Sequence, residues 1–102
     1  MIIVVARVEI APGRRDAFLE EFHRLVPQVR AEAGCLEYGP TVDAETTLAR
    51  QTKLGPDVVM IVEKWASLAA LEAHLVAPHM TPYRERVKDL VQNVQLHVLK
   101  PA

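Results

Sequence analysis

Apolar and polar positions alternate at the start of the chain. Over residues 2–10, Ile2, Val4, Ala6, Val8 and Ile10 share one face of a segment dominated by β-branched side chains, which predicts a strand. Pro12-Gly13 punctuates its end. The period then lengthens. Phe18, Leu19, Phe22, Leu25, Val26, Val29 and Ala33 recur at helical spacing, so residues 14–33 read as a helix. Glu20 and Arg24 can pair on its wet side. Pro27 should kink it and Gly34 should end it.

A second strand is expected over 35–42, "CLEYGPTV", with Gly39-Pro40 marking a bulge or a sheet edge. Residues 43–57 are polar; "LARQT" inside them is compatible with a hairpin extension, and Gly55-Pro56 reads as a turn. Residues 58–66, "VVMIVEKWA", form a third strand. Ser67 is a suitable N-cap for a helix over 68–77. Pro78 interrupts that helix, and a further one covers 79–91 with Tyr83, Val87, Leu90 and Val91 on one side. A last strand over 93–99 places Val94, Leu96 and Val98 on one face.

The order βαββαβ predicts an α+β fold of the ferredoxin-like sandwich type, with an antiparallel sheet and its helices on one face. Ile3 and Val5 oppose the apolar face of the first strand, and Val58, Met60 and Val62 oppose Val59, Ile61 and Trp65 on the third. Helices can cover only one of these faces. Large uncovered apolar surfaces mark interaction sites, so a homodimer with two sheets face to face is expected. The alternative is that residues 43–57 fold over the bare face.

Composition narrows the partners. The 102 residues suit one domain, 1–102; half are apolar and a quarter charged. The net charge is −1 and no basic block exists, which argues against nucleic acid and acidic membranes. "MIIVVARVEI" meets Arg7 and Glu9 too early for a membrane span or signal peptide. Cys35 is the only cysteine, which excludes an intrachain disulfide and fits a reducing, cytoplasmic setting.

Candidate chemistry concentrates in "EAHLVAPHM", residues 72–80, which holds His74 and His79. Their spacing of five does not match the H-E-x-x-H pattern that puts two imidazoles on one helical face, so no metal site is expected. An imidazole is suited to taking a proton from a phenol-like group, and the break at Pro78 allows His79 to turn back toward the sheet. From spacing alone, both read more readily as ordinary surface or helix-end histidines. His23 and His97 receive no role. Glu63 and Trp65 form E-x-W on one strand face, where they suit either a ring-shaped ligand or the core. Tyr38 is similarly two-sided. Phe22, Met80 and Tyr83 serve either as pocket lining or as core. No G-x-S-x-G, P-loop or G-x-G-x-x-G motif is present.

Several segments jointly resemble the antibiotic biosynthesis monooxygenase family: "GCLEY" (34–38), "VEKW" (62–65) and "LEAHLVAPHM" (71–80), followed by Tyr83. The likeness runs from "APGRRDAFLEEF" to "LHVLKPA", and the spacing is most similar to the small bacterial quinol-oxidising members. It implies a dimeric α+β barrel of two ferredoxin-like units. It further implies oxidation of a small phenol or quinol by molecular oxygen without metal, flavin or haem. Carried over by position, His74 and His79 would be pocket histidines, Tyr38 and Trp65 ring-binding residues, and Glu63 the E-x-W carboxylate. Haem-degrading relatives use a first-strand asparagine; here the only asparagine is Asn93. An isomerase branch acting on a phosphorylated signalling sugar shares the paired histidines and would need cations such as Arg7 or Arg84. A non-catalytic binding dimer is the third alternative.

Overall fold

The computed structural model describes residues 1–102. In chain order the elements are β1 (Ile2–Ile10), α1 (Arg15–Arg30), β2 (Cys35–Thr41), β3 (Val58–Trp65), α2 (Leu68–Leu75), α3 (Met80–Val87) and β4 (Val91–Leu99). The four strands form one antiparallel sheet in the order β2-β3-β1-β4. This is the ferredoxin-like arrangement, with β3 inserted between β1 and β2.

Register explains the core. Val4 pairs with Glu63, Ala6 with Ile61 and Val8 with Val59, so these side chains share the helix-covered face. All are buried, as are Phe18, Phe22, Leu25, Val26 and Val29 on the inner side of α1. The apolar alternation of β1 and the helical stripe of α1 therefore meet as one layer on another.

Several boundaries move. α1 stops at Arg30, and residues 31–34 form a turn that leaves Ala33 exposed instead of completing the helical stripe. Gly34 closes this turn at φ 82°, and a Cβ there would lie 2.6 Å from the Cβ of Ala70 on α2. Only glycine combines that backbone with so close an approach. Ser67 caps α2 as expected, accepting a hydrogen bond from the Ala70 amide. α2 ends at Leu75, ahead of Pro78, and α3 ends at Val87. Leu90 stays buried beyond that helix, while Val91 already belongs to β4.

Gly39-Pro40 lies on edge strand β2, where a missing N–H is tolerated. The register irregularity falls between Cys35 and Glu37 instead. Residues 43–57 form no strand, so "LARQT" extends no hairpin. The Asp43 carboxylate instead accepts from the Leu54 and Gly55 amides at 2.9 Å, closing the loop on itself. Residues 44–50 are all exposed and cover nothing.

The bare apolar surface is distributed differently from the simple two-face expectation. On the helix-free face Ile3, Val5, Met60 and Val62 are half-buried and share the surface with the Arg7–Glu9 and Lys64–Glu37 ion pairs. On the helix side, β4 pairs Val94 with Val8, Leu96 with Ala6 and Val98 with Val4. Those β1 partners are sealed, yet Val94, Leu96 and Val98 remain about half exposed, because β4 lies beyond the reach of the helices.

Candidate active site

β2 and β3 bring the first site residues together. Tyr38 and Glu63 are cross-strand partners, and their side chains rise from the sheet toward the helices. Trp65, two residues along β3, shares that face; its indole N–H donates to Glu63 Oε1 at 2.9 Å. α1 contributes Phe22, whose ring stacks on Tyr38 at 5.4 Å between centroids. The buried residues of α2 are Leu71 and His74. α3 adds Met80 and Tyr83, one turn apart.

These elements line an open, apolar cavity of about 410 Å³. Phe22, Tyr38, Glu63, His74, Met80 and Tyr83 all line it, and Val8, Ile61, Val87 and Val94 extend the apolar wall. Arg84 and Lys88 also border the cavity. The Arg84 guanidinium is held by the Leu75 carbonyl at 2.8 Å. Arg7 lies on the helix-free face, paired with Glu9, so it cannot serve this cavity.

Two sequence candidates stand elsewhere. Trp65 is fully buried and does not line the cavity. It backs His74 instead, with ring centroids 4.7 Å apart. His79 sits at the start of α3, partly exposed and outside the cavity lining. The break at Pro78 does turn it, but toward Glu32 and not toward the sheet.

Glu32 is the residue that sequence reasoning missed. Its carboxylate lies 3.0 and 3.2 Å from His74 Nδ1 and 2.7 Å from His79 Nε2. It is nearly buried, with 13% of its side chain exposed. The helix expected through residue 33 assigned Glu32 no role. The early end of α1 and the glycine turn carry it toward α2 and α3 instead. No local pattern announces a partner so distant in sequence. The three side chains do not form a cluster suited to holding a metal ion.

The polar atoms facing the cavity have a distinctive status. His74 Nε2, the phenolic oxygens of Tyr38 and Tyr83, and the second Glu63 oxygen take no hydrogen bond from the protein. No unpartnered side-chain nitrogen or oxygen is sealed in the core. Those atoms are therefore open, and the cavity their side chains line is where they open.

Burial sets the ionisation. It pushes both tyrosine hydroxyls far above the usual phenol range, with Glu63 adding to the effect, so both are held protonated. Burial also raises Glu63, against the opposing pull of the Trp65 indole and His74, while Glu32 raises it further. Cys35 is raised by burial first and then by Glu32 and Glu63, which makes it a poor nucleophile.

The apolar cavity with a few convergent polar atoms is the form of a small-molecule site. The sequence matches the family model described as antibiotic biosynthesis monooxygenase over residues 1–86. It is 40% identical to "Probable quinol monooxygenase YgiN" of Escherichia coli, covering 99% of this chain and 98% of that protein. The crystal structure of PA3566 from Pseudomonas aeruginosa superposes with a TM-score of 0.79 at 30% identity, covering 99% of this chain and 93% of that one. Rv0793 from Mycobacterium tuberculosis superposes with a TM-score of 0.79 at 27% identity, covering 99% and 94%. The chain belongs to the antibiotic biosynthesis monooxygenase family and is an enzyme of that monooxygenase class.

Proposed function

We propose that this protein oxidises a small quinol or phenolic ring with molecular oxygen, without a resident cofactor, in the cavity between sheet and helices. The observation that carries the reading is the open Nε2 of His74 in an apolar pocket, with its ring backed by Trp65 and its other nitrogen on Glu32. The likeness to a quinol monooxygenase over nearly the whole chain supports the substrate class.

The chemistry follows from the groups present. A hydroxyl of the bound ring gives its proton to His74 Nε2; the O–H bond breaks and its electron pair stays on oxygen. The resulting anion passes one electron to molecular oxygen, the oxidant, giving a semiquinone and superoxide. Transfer of the semiquinone hydrogen atom to superoxide, with the proton returned from His74, gives the quinone and hydrogen peroxide. Recombination of the two radicals instead forms the carbon–oxygen bond of oxygen insertion. Tyr38 and Tyr83, held protonated, donate hydrogen bonds to ring oxygens. Phe22 and Met80 supply apolar contact with the ring. The cavity lining is mostly apolar and offers few competing polar partners, which strengthens each of these interactions.

The test is oxygen uptake with a naphthoquinol such as menadiol, in metal-free protein, corrected for autoxidation. Turnover above background that disappears in His74→Ala supports the reading; wild-type rates in that variant overturn the base assignment. Hydrogen peroxide yield separates plain two-electron oxidation from oxygen insertion. Turnover that persists without oxygen would favour an isomerase, with Arg84 at the cavity as its only nearby arginine.

We also propose that two copies associate. The half-exposed Val94, Leu96 and Val98 on one face of β4 form an apolar strip at a sheet edge, the kind of surface a partner covers. A cytoplasmic location is proposed from the single unpaired cysteine. No helix is long and apolar enough to cross a membrane.

A further inference from the structure

We infer that Glu32 is the positioning residue that fixes His74 in its proton-accepting form, and that His79 acts on Glu32 and not on the substrate. The inference rests on the reading of His74 as the base and assigns the two groups behind it.

A carboxylate can only accept hydrogen bonds. Glu32 presents its oxygens to His74 Nδ1 at 3.0 and 3.2 Å, so a hydrogen sits on Nδ1. A neutral imidazole has one hydrogen. Placing it on Nδ1 leaves a lone pair on Nε2, the nitrogen that opens into the cavity. With the hydrogen on Nε2 instead, the same ring would be a donor and could not take a proton there.

Packing does not make this choice. Trp65 at 4.7 Å and Tyr38 at 5.4 Å fix the plane of the imidazole, but a ring plane is indifferent to which nitrogen is protonated. Only Glu32 reads the nitrogen. It also offsets the charge that develops: once the substrate proton reaches Nε2, the imidazolium lies against an anion at hydrogen-bond distance. Glu63 also acts on this ring from the sheet, but it makes no hydrogen bond to His74; one of its oxygens accepts from Trp65.

His79 completes the arrangement from the outer side. Its Nε2 lies 2.7 Å from Glu32 Oε2, the oxygen nearer His74. A second donor on that oxygen holds the carboxylate in one orientation. His79 cannot also reach the ring of a bound substrate, since it is absent from the cavity wall. Exposure of the side chains rises from 3% at His74 through 13% at Glu32 to 22% at His79, so the last member is the one in contact with water.

The experiment combines imidazole nitrogen NMR of the ligand-free protein with steady-state kinetics of Glu32→Gln, Glu32→Ala and His79→Gln. In wild type, His74 should show a protonated Nδ1 and a bare Nε2; Glu32→Gln should mix the tautomers. Glu32→Gln should lower kcat on the order of 100-fold, with KM within about twofold and the fold retained. His79→Gln should lower kcat less, because an amide can still donate to Glu32. A bare Nδ1 on wild-type His74 overturns the inference, as does a folded Glu32→Ala variant with wild-type kcat. The NMR readout needs no turnover. If His74→Ala proves active while the tautomer still follows Glu32, the base reading fails and the positioning contact stands. If Glu32 variants do not fold, the wild-type spectrum alone decides.

Discussion

Glu32 and His74 are 42 residues apart in sequence and 3.0 Å apart in the fold. The contact joins the turn after α1 to the buried face of α2, where His74 is the only polar side chain. His74→Phe should therefore separate chemistry from packing. A phenyl ring keeps the stack on Trp65 but cannot accept a proton. Quinol oxidation is expected to fall on the order of 100-fold, to near the autoxidation rate. Circular dichroism and size exclusion should remain those of wild type.

Trp65 supports the site from behind. Trp65→Phe removes the donor to Glu63 Oε1 and leaves unfilled volume in the core. The expected loss is about 2–4 kcal/mol. The pH dependence carries a sign. Burial raises the Glu63 pKa in the folded state, so the folded protein holds that proton more tightly than the unfolded chain. Stability consequently falls as pH rises from the ordinary carboxylate range through the raised value. Without the indole, which opposes the rise, the fall should extend to higher pH. Urea unfolding across a pH series checks this, and Glu63→Gln should flatten the trend.

Gly34 sets how closely the turn carrying Glu32 approaches α2. Gly34→Ala places a Cβ 2.6 Å from that of Ala70 and forces a side chain onto a backbone with φ 82°. The combined strain should cost about 2–4 kcal/mol. Because the same shift displaces Glu32, activity should fall more than stability predicts. Thermal unfolding and kinetics on one preparation test the pair of effects.

Asp43 tests the loop over residues 43–57. The Leu54 and Gly55 amides hold its carboxyl below the usual range. A depressed carboxylate stabilises above its unfolded pKa, and that contribution is lost as pH falls through the folded value. Hydrogen exchange at Leu54 and Gly55 should be slow near neutral pH and unprotected in Asp43→Ala. Wild-type protection should decline once the carboxylate is protonated.

The β4 strip tests association. Leu96→Glu places a charge between Val94 and Val98 without disturbing the buried core, since Leu96 is already half exposed. Sedimentation should show a dimer for wild type at micromolar concentration and a monomer for the variant. A wild-type monomer would contradict the proposed association.

Local pattern determined much of this protein. Alternation in β1 and β3 and the helical stripe of α1 gave the ferredoxin-like order, because burial repeats with the period of the backbone that carries it. Tyr38, Glu63, Phe22, Met80, Tyr83 and His74 were candidates whose pattern fitted core or surface as well as a pocket, and the fold brings them to one cavity. Tertiary structure alone decided the rest. Spacing could not show that Trp65 stands behind the wall or that His79 turns away from it. Nor could it show Glu32 between the histidines. Those relations depend on where α1 ends and how tightly Gly34 packs on Ala70, and the Glu32 contacts join segments 42 and 47 residues apart. Periodicity records which face of an element is buried; which side chain meets which across two elements is settled only when the elements pack.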